Sequence, residues 1–224
     1  MLKDKDSLRF LLAASALSVI LWFIPLAGFI VYPFRLFVTF IHEGGHALMT
    51  LLTFGSVEAV RIYTDASGVT LSRGGMPLLI SSAGYLSSTV YGASLLMLCK
   101  QGSNAKAVLT ITAAAILGLT AFFVSGVFGW VIGTLLAAGL IFIALAASAR
   151  VAHFFLSFLA VQCGLNALYD LNTLLVISAT SHAHSDALNM QNQTHVPALF
   201  WALTWIGVSV IVLGWAMRSY ARRT

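Results

Sequence analysis

The chain has 224 residues, of which 59% are hydrophobic and only 8% are charged, and its mean hydropathy is +0.94. A soluble domain usually carries about 25% charged residues, so the composition excludes an ordinary soluble protein and predicts an integral membrane protein. The net charge of +5 comes from Lys and Arg at the ends of apolar segments. That placement is typical of membrane spans and, without a basic patch interleaved with exposed aromatic residues, predicts no nucleic-acid partner.

The apolar segments predict an all-α polytopic membrane protein of about six to seven transmembrane helices. Each span needs about 20 apolar residues. We expect one integral-membrane domain over residues 1–224. In chain order, the predicted spans are 10–32 and 34–53, separated near Pro33, then 77–99, two spans within the uncharged stretch 107–149, then 151–177 and 197–217.

Two polar regions interrupt the apolar pattern. In the first, V-E-A-V-R-I-Y and G-V-T-L-S flank T-D-A-S, which predicts a short β-hairpin at 57–72 with its turn near residues 65–68. The second region, 178–195, is rich in Ser, Asn and Gln and holds three histidines, and it predicts a polar loop before the last span.

Residues 42–46 read His-Glu-Gly-Gly-His inside a strongly apolar stretch. On a helix, His42 and His46 share one face and can hold a zinc ion, while Glu43 can serve as general base. Ionisable groups within a membrane are costly and usually functional. The alternative is that these side chains only satisfy one another in a helix bundle.

The paired glycines of this motif also require an explanation. Gly44 and Gly45 each cost about 1 kcal/mol in a helix relative to alanine. We therefore expect a neighbouring backbone or a substrate to pass close to them.

A catalytic zinc site needs a third protein ligand, and the chain offers few acidic residues. Asp170 lies in an apolar stretch, where a metal would neutralise it, and is the favoured candidate. The alternatives are a carboxylate at the water-exposed end of its span and pairing with Arg35 or Arg150. Asn166, one turn earlier, could bind a ligand or a substrate carbonyl, or could form an interhelical hydrogen bond. Asp186 is the weaker alternative ligand, because Ser185-Asp186 is also typical of a helix N-terminus.

The motif, the hairpin after it and an Asp on a later helix resemble the site-2 protease family of intramembrane zinc metallopeptidases. The likeness is to the compact branch without PDZ or CBS domains, and it covers most of the chain from about Phe34. It implies that His42 and His46 bind zinc and that Glu43 is the catalytic acid/base. The family's third ligand lies in a pattern like N-x-x-P-x-x-x-L-D-G. Here Asn166-Ala-Leu-Tyr-Asp170 keeps the Asn and Asp but lacks the Pro, the longer spacing and the Gly.

The resemblance implies an intramembrane zinc metalloprotease with one Zn²⁺ per chain and a water molecule activated by Glu43. Its substrates would be membrane proteins or peptides in the lipid bilayer, and an edge strand of the hairpin could pair with an extended substrate. The expected location is the bacterial plasma membrane, with a plastid membrane as the alternative. The competing interpretations are a metal-ion transporter and a catalytically inactive metal-binding membrane protein.

Overall fold

The computed structural model describes residues 4–24, 27–100, 104–180 and 185–221. Within these residues the protein is mostly helical and contains one β-hairpin. The elements are α1 (Asp4–Phe23), α2 (Ala27–Leu52), β1 (Ser56–Ile62), β2 (Gly68–Arg73), α3 (Pro77–Lys100), α4 (Ala105–Phe122), α5 (Val127–Ala146), α6 (Ala149–Thr180), α7 (Asp186–Thr194) and α8 (Ala198–Ala221).

The long apolar helices confirm the predicted polytopic membrane fold. In the described part of the chain, four helices are long and apolar enough to cross a membrane, namely α4, α5, α6 and α8. Helices α2 and α3 have 26 and 24 residues, long enough to span, but polar residues of α2 and the Ser and Gly residues of α3 lower their hydropathy. The hydropathy-based count is therefore below the expected six to seven.

Two segment boundaries differ from the sequence prediction. Helix α2 continues through Pro33 instead of beginning after it. A proline is tolerated within membrane helices because neighbouring groups satisfy the freed backbone atoms. The predicted polar loop at 178–195 is largely helical, since α6 runs to Thr180 and α7 begins at Asp186. His182 and His184 lie outside the described residues.

The predicted hairpin is confirmed, with β1 and β2 antiparallel and Val60 opposite Thr70. Its turn is stabilised by the Asp65 carboxylate, which accepts hydrogen bonds from the Ser67 hydroxyl at 2.6 Å and the Ser67 backbone N–H at 2.9 Å. These bonds hold the pKa of Asp65 below its usual value. Ala66 adopts a positive φ of 67°, which closes the turn.

The hairpin lies alongside α2 and is fastened at both its turn and its first strand. Tyr32 and Thr39 of α2 donate hydroxyl hydrogen bonds of 2.6 Å to the carbonyls of Thr64 and Ala66. In the middle of β1, the Val60 N–H donates to Phe123 O and the Val60 carbonyl accepts from Ser125 N, both at 2.8 Å. The connection between α4 and α5 therefore occupies the outer edge of β1. Within the described sheet, β2 is left as the edge strand.

Close packing between α2 and α3 explains one of the two motif glycines. A Cβ on Gly45 would lie 2.8 Å from the carbonyl oxygen of Ala83 on α3 and would overlap the Ser87 side chain. The Ser87 hydroxyl donates to the Ile41 carbonyl at 3.1 Å and bridges the two helices. The expected approach of a neighbouring backbone is confirmed for Gly45, whereas Gly44 meets only the Leu119 side chain at an ordinary 3.5 Å.

A separate apolar cluster positions the short helix α7. Ala187 and Met190 of α7 are buried against Leu171 and Leu174 of α6 and against Trp205 of α8. Because α7 has only nine residues, this burial supplies most of what holds it in place. The cluster thereby places the first residue of α7 next to the histidines of α2.

Candidate metal centre

Three side chains from α2 and α7 converge on one point. The Nε2 atoms of His42 and His46 lie 3.1 Å apart. Asp186 Oδ2 lies 3.3 Å from each of them. Among the described residues, these three form a group of potential ligand atoms within 4.8 Å of one another.

The triangle of donor atoms fits a tetrahedral zinc ion. With metal–ligand distances of about 2.0–2.1 Å, two ligand atoms of a tetrahedron lie about 3.3 Å apart. The edges of 3.1, 3.3 and 3.3 Å match this spacing. Two imidazole nitrogens and a carboxylate oxygen are also an established type of donor set for a catalytic zinc, in which a fourth position stays open.

Hydrogen bonding and aromatic packing orient the two imidazoles. His46 Nδ1 lies 2.7 Å from the Ile80 carbonyl oxygen and donates a hydrogen bond to it, so Nε2, which faces Asp186, is the nitrogen that can bind a metal once it is deprotonated. The His42 ring packs edge-on against Tyr85, at a centroid distance of 4.7 Å. Tyr85 in turn stacks on Trp205 at 5.4 Å. Both rings are therefore held by residues outside α2.

Asp186 is placed by the N-terminus of α7. Ser185 is the N-cap, and its hydroxyl accepts a hydrogen bond from Leu188 N at 3.2 Å. Burial alone would raise the pKa of Asp186, but attraction to His46 and hydrogen bonds from both imidazoles outweigh it, so the pKa lies well below its usual value. The carboxylate is thus in the ionised form that binds metals. The helix N-terminus recognised in the sequence and a candidate metal-binding position therefore coincide at Asp186.

The structure does not bring Asp170 into this group, although the sequence favoured it as the third ligand. Asp170 on α6 interacts electrostatically with His42 and with Arg35. Its carboxylate lies outside the group of three converging ligand atoms, so we favour Asp186 as the candidate third ligand. Asn166 donates from Nδ2 to the Gln162 carbonyl at 2.9 Å and lines a different cavity, beside Arg35 and Tyr169. It therefore lies away from the three converging side chains.

Glu43 is buried beside the histidines and is covered by strand β2. Its side chain is only 3% exposed. The Thr70 hydroxyl donates to Glu43 Oε2 at 2.7 Å. A Cβ on Gly68 would lie 2.6 Å from Glu43 Oε1, so β2 passes too close for any larger residue there. Neither Thr70 nor Gly68 carries a signal in the sequence that would have marked it as part of the site.

A cavity of about 620 Å³ opens beside this group. Its walls include β2, the last turns of α6 and the polar face of α7, where Asn189 and Gln193 follow Asp186. On the side of α3, Gly84 makes room for the imidazoles, because a Cβ there would stand 2.5 Å from His42 Nε2. The site is therefore a cleft that can admit an extended chain next to Glu43.

The fold and the site together define a polytopic membrane protein with a candidate metal centre beside a buried glutamate. A family model described as Peptidase M50B-like matches residues 11–216. The chain therefore belongs to this family, a site-2 protease family of membrane metalloproteases, as its motifs indicated. No curated protein and no solved structure matches the chain significantly.

Proposed function

We propose that the protein is a zinc-dependent intramembrane endopeptidase whose metal ligands are His42, His46 and Asp186. The observation that carries the proposal is the triangle of donor atoms, with edges of 3.1 to 3.3 Å, directly beside Glu43. Membership of a peptidase family supports the hydrolytic activity, and the donor set supports zinc as the metal. Asp186 replaces Asp170 as the third ligand in this proposal.

The residues of the site have distinct roles in peptide hydrolysis. Zinc, when bound, polarises a carbonyl group and makes a water molecule acidic enough to lose a proton near neutral pH. Glu43 takes that proton and delivers it to the leaving amine, since it lies beside the first ligand and is shielded from bulk solvent. Beside it, the cavity of about 620 Å³ leaves room for the substrate segment.

The free edge of β2 is the proposed docking strand for substrate. A transmembrane helix hides its peptide bonds, so a membrane-embedded substrate has to unwind before cleavage. Strand β2 lines the cavity, and its partner β1 is paired on its other edge by residues 123–125. An extended substrate segment that adds to β2 would therefore lie in the cleft beside Glu43.

The substrates are proposed to be membrane proteins or peptides reached from within the bilayer. Four helices in the described part of the chain are long and apolar enough to span, and one of them, α6, contributes directly to the cavity wall. A bacterial plasma membrane is the proposed location, in line with the compact branch that the sequence resembles.

The variant Glu43→Gln tests the proposed role of the glutamate. The full chain is purified in detergent and loaded with zinc. Its activity is measured on densely labelled casein, whose quenched fluorescence increases when the casein is cleaved. We expect wild type to cleave it, and Glu43→Gln to keep stoichiometric zinc while losing about 10²- to 10⁴-fold in rate, the usual contribution of a positioned general base. Equal cleavage by both proteins would refute the role of Glu43. Zinc binding without any cleavage by wild type would favour a transporter or an inactive metal-binding protein.

A further inference from the structure

The contact between Thr70 and Glu43 joins the hairpin to the proposed catalytic base. The Thr70 hydroxyl lies 2.7 Å from Glu43 Oε2 and 3.2 Å from the Glu43 carbonyl oxygen. A hydroxyl has one proton to donate, and the shorter contact goes to the carboxyl group. The bond is short and lies in a buried part of the protein, so it restricts the rotation of the Glu43 side chain.

The position of Thr70 is fixed by hydrogen bonds that hold the hairpin to neighbouring parts of the protein. Thr70 lies opposite Val60, and Val60 is bound through both its backbone groups to the connection between α4 and α5. Successive residues of a strand face opposite sides, so a slip of one residue would turn the Thr70 hydroxyl away from Glu43. The bonds from Tyr32 and Thr39 to the hairpin turn oppose such a slip.

The hydrogen-bond pattern also determines where the backbone of Thr70 points. The N–H and carbonyl of Val60 bond to Phe123 and Ser125, on the side away from β2. Val60 and Thr70 are therefore a non-hydrogen-bonded pair of the antiparallel ladder, and the backbone groups of Thr70 point outward to the free edge. The bond from Tyr63 N to Ser67 O at 2.9 Å agrees with this alternation. The backbone N–H and carbonyl of Thr70 thus face the free edge of β2, while its side-chain hydroxyl donates to Glu43.

We propose that Thr70 is a positioning residue that couples the docking of an extended substrate on β2 to the orientation of the Glu43 carboxyl group. This inference rests on the proposed function, in which Glu43 is the base. A substrate strand would bind the backbone of Thr70, whose hydroxyl orients the Glu43 carboxyl group. The strand register of Thr70 therefore determines both where the substrate binds and how Glu43 is oriented. The substrate class that follows is a peptide segment able to add to β2 as a strand.

The test compares Thr70→Val, which removes the hydroxyl at nearly constant shape, with Thr70→Ser, which keeps it. Thr64→Val is the matched control, because it makes the same chemical change at an exposed position in the turn of the same hairpin. Full-length zinc-loaded proteins are assayed on the quenched casein. We expect Thr70→Val to lose about 10- to 100-fold in kcat, in line with the loss of a hydrogen bond to a charged group, with KM and zinc content nearly unchanged. Thr70→Ser restores most of the rate, and Thr64→Val behaves as wild type.

A second measurement separates this inference from the proposed function. The chain has only seven acidic residues, so infrared difference spectra of metal-free wild type and Glu43→Gln can locate the carboxyl band of Glu43. We expect that band to shift in Thr70→Val and to stay in place in Thr70→Ser. An unmoved band, an undiminished kcat in Thr70→Val or a failed rescue by Thr70→Ser overturns the inference. If wild type cleaves nothing, the proposed function fails, and the infrared band alone decides whether Thr70 holds Glu43.

Discussion

Replacing Gly84 with alanine should weaken zinc binding at the candidate metal centre without unfolding the protein. Gly84 lies on α3, facing the imidazoles of the two histidines of α2. A Cβ at this position would stand 2.5 Å from His42 Nε2 and closer still to His46 Nε2. The substitution therefore adds a methyl group where the ligand atoms converge.

The size of the effect follows from these distances. Ordinary van der Waals contact begins at 3.4 Å, so the His42 ring has to retreat by about 0.9 Å (3.4 minus 2.5), several times the tolerance of about 0.2 Å for a metal–ligand distance. His46 cannot follow freely, because Ile80 holds its Nδ1. We expect zinc affinity to fall by at least the 10- to 100-fold seen when a supporting contact of a ligand is lost.

Zinc titration with a competing fluorescent chelator measures this affinity directly, and circular dichroism checks that the helices are retained. Gly164→Ala is the matched control, because a Cβ there meets nothing within 4 Å. It should bind zinc as wild type does and, as a helical Gly→Ala change, stabilise the fold by about 0.5–1 kcal/mol. Wild-type zinc affinity in Gly84→Ala would refute the placement of the ligand atoms against α3.

Two further predictions concern the third ligand and the docking strand. Asp186→Asn should lose zinc by elemental analysis, whereas Asp170→Asn should retain it, because only Asp186 lies 3.3 Å from both imidazoles; equal zinc in the two variants would contradict the assignment. A non-cleavable analogue of a substrate peptide should inhibit its hydrolysis. The same analogue with alternate backbone nitrogens methylated should inhibit only weakly, since methylation removes the donors that pair with β2. Equal inhibition by methylated and unmethylated non-cleavable analogues would exclude strand addition.

The sequence allowed much of the fold and two of the three side chains of the candidate metal centre to be predicted. The spacing of His42 and His46 depends only on helical geometry, so a local pattern is sufficient to place both on one face. The hairpin is equally local, because its alternating strands and the Asp65 turn lie within 18 residues of one another. The apolar runs likewise predicted α3, α4, α5, α6 and α8 with small shifts at their ends, whereas α7 was predicted as part of a polar loop.

The third ligand could not be predicted in the same way. Asp170 was favoured because an unpaired carboxylate in an apolar stretch is costly, but which carboxylate reaches the two histidines is a tertiary fact that the sequence does not display. Asp186 resembled an ordinary first-turn residue of a helix that Ser185 caps, and it does occupy that position. What places it beside the histidines is the burial of Ala187 and Met190 against α6 and α8. Gly84 and Thr70 escaped prediction for the same reason, because their neighbours are distant in the chain.

The late position of Asp186 in the chain, at the start of α7, has a consequence for the biosynthesis of the protein. Translation proceeds from the N-terminus, so both histidines enter the membrane long before the carboxylate, which follows His46 by 140 positions (186 minus 46). With Asp186 as the third ligand, a nascent chain that has inserted α2 and even α6 still holds only two ligands. The peptidase would then stay inactive throughout its own insertion, when unfolded membrane segments are nearby, and would acquire its metal only after α7 has docked.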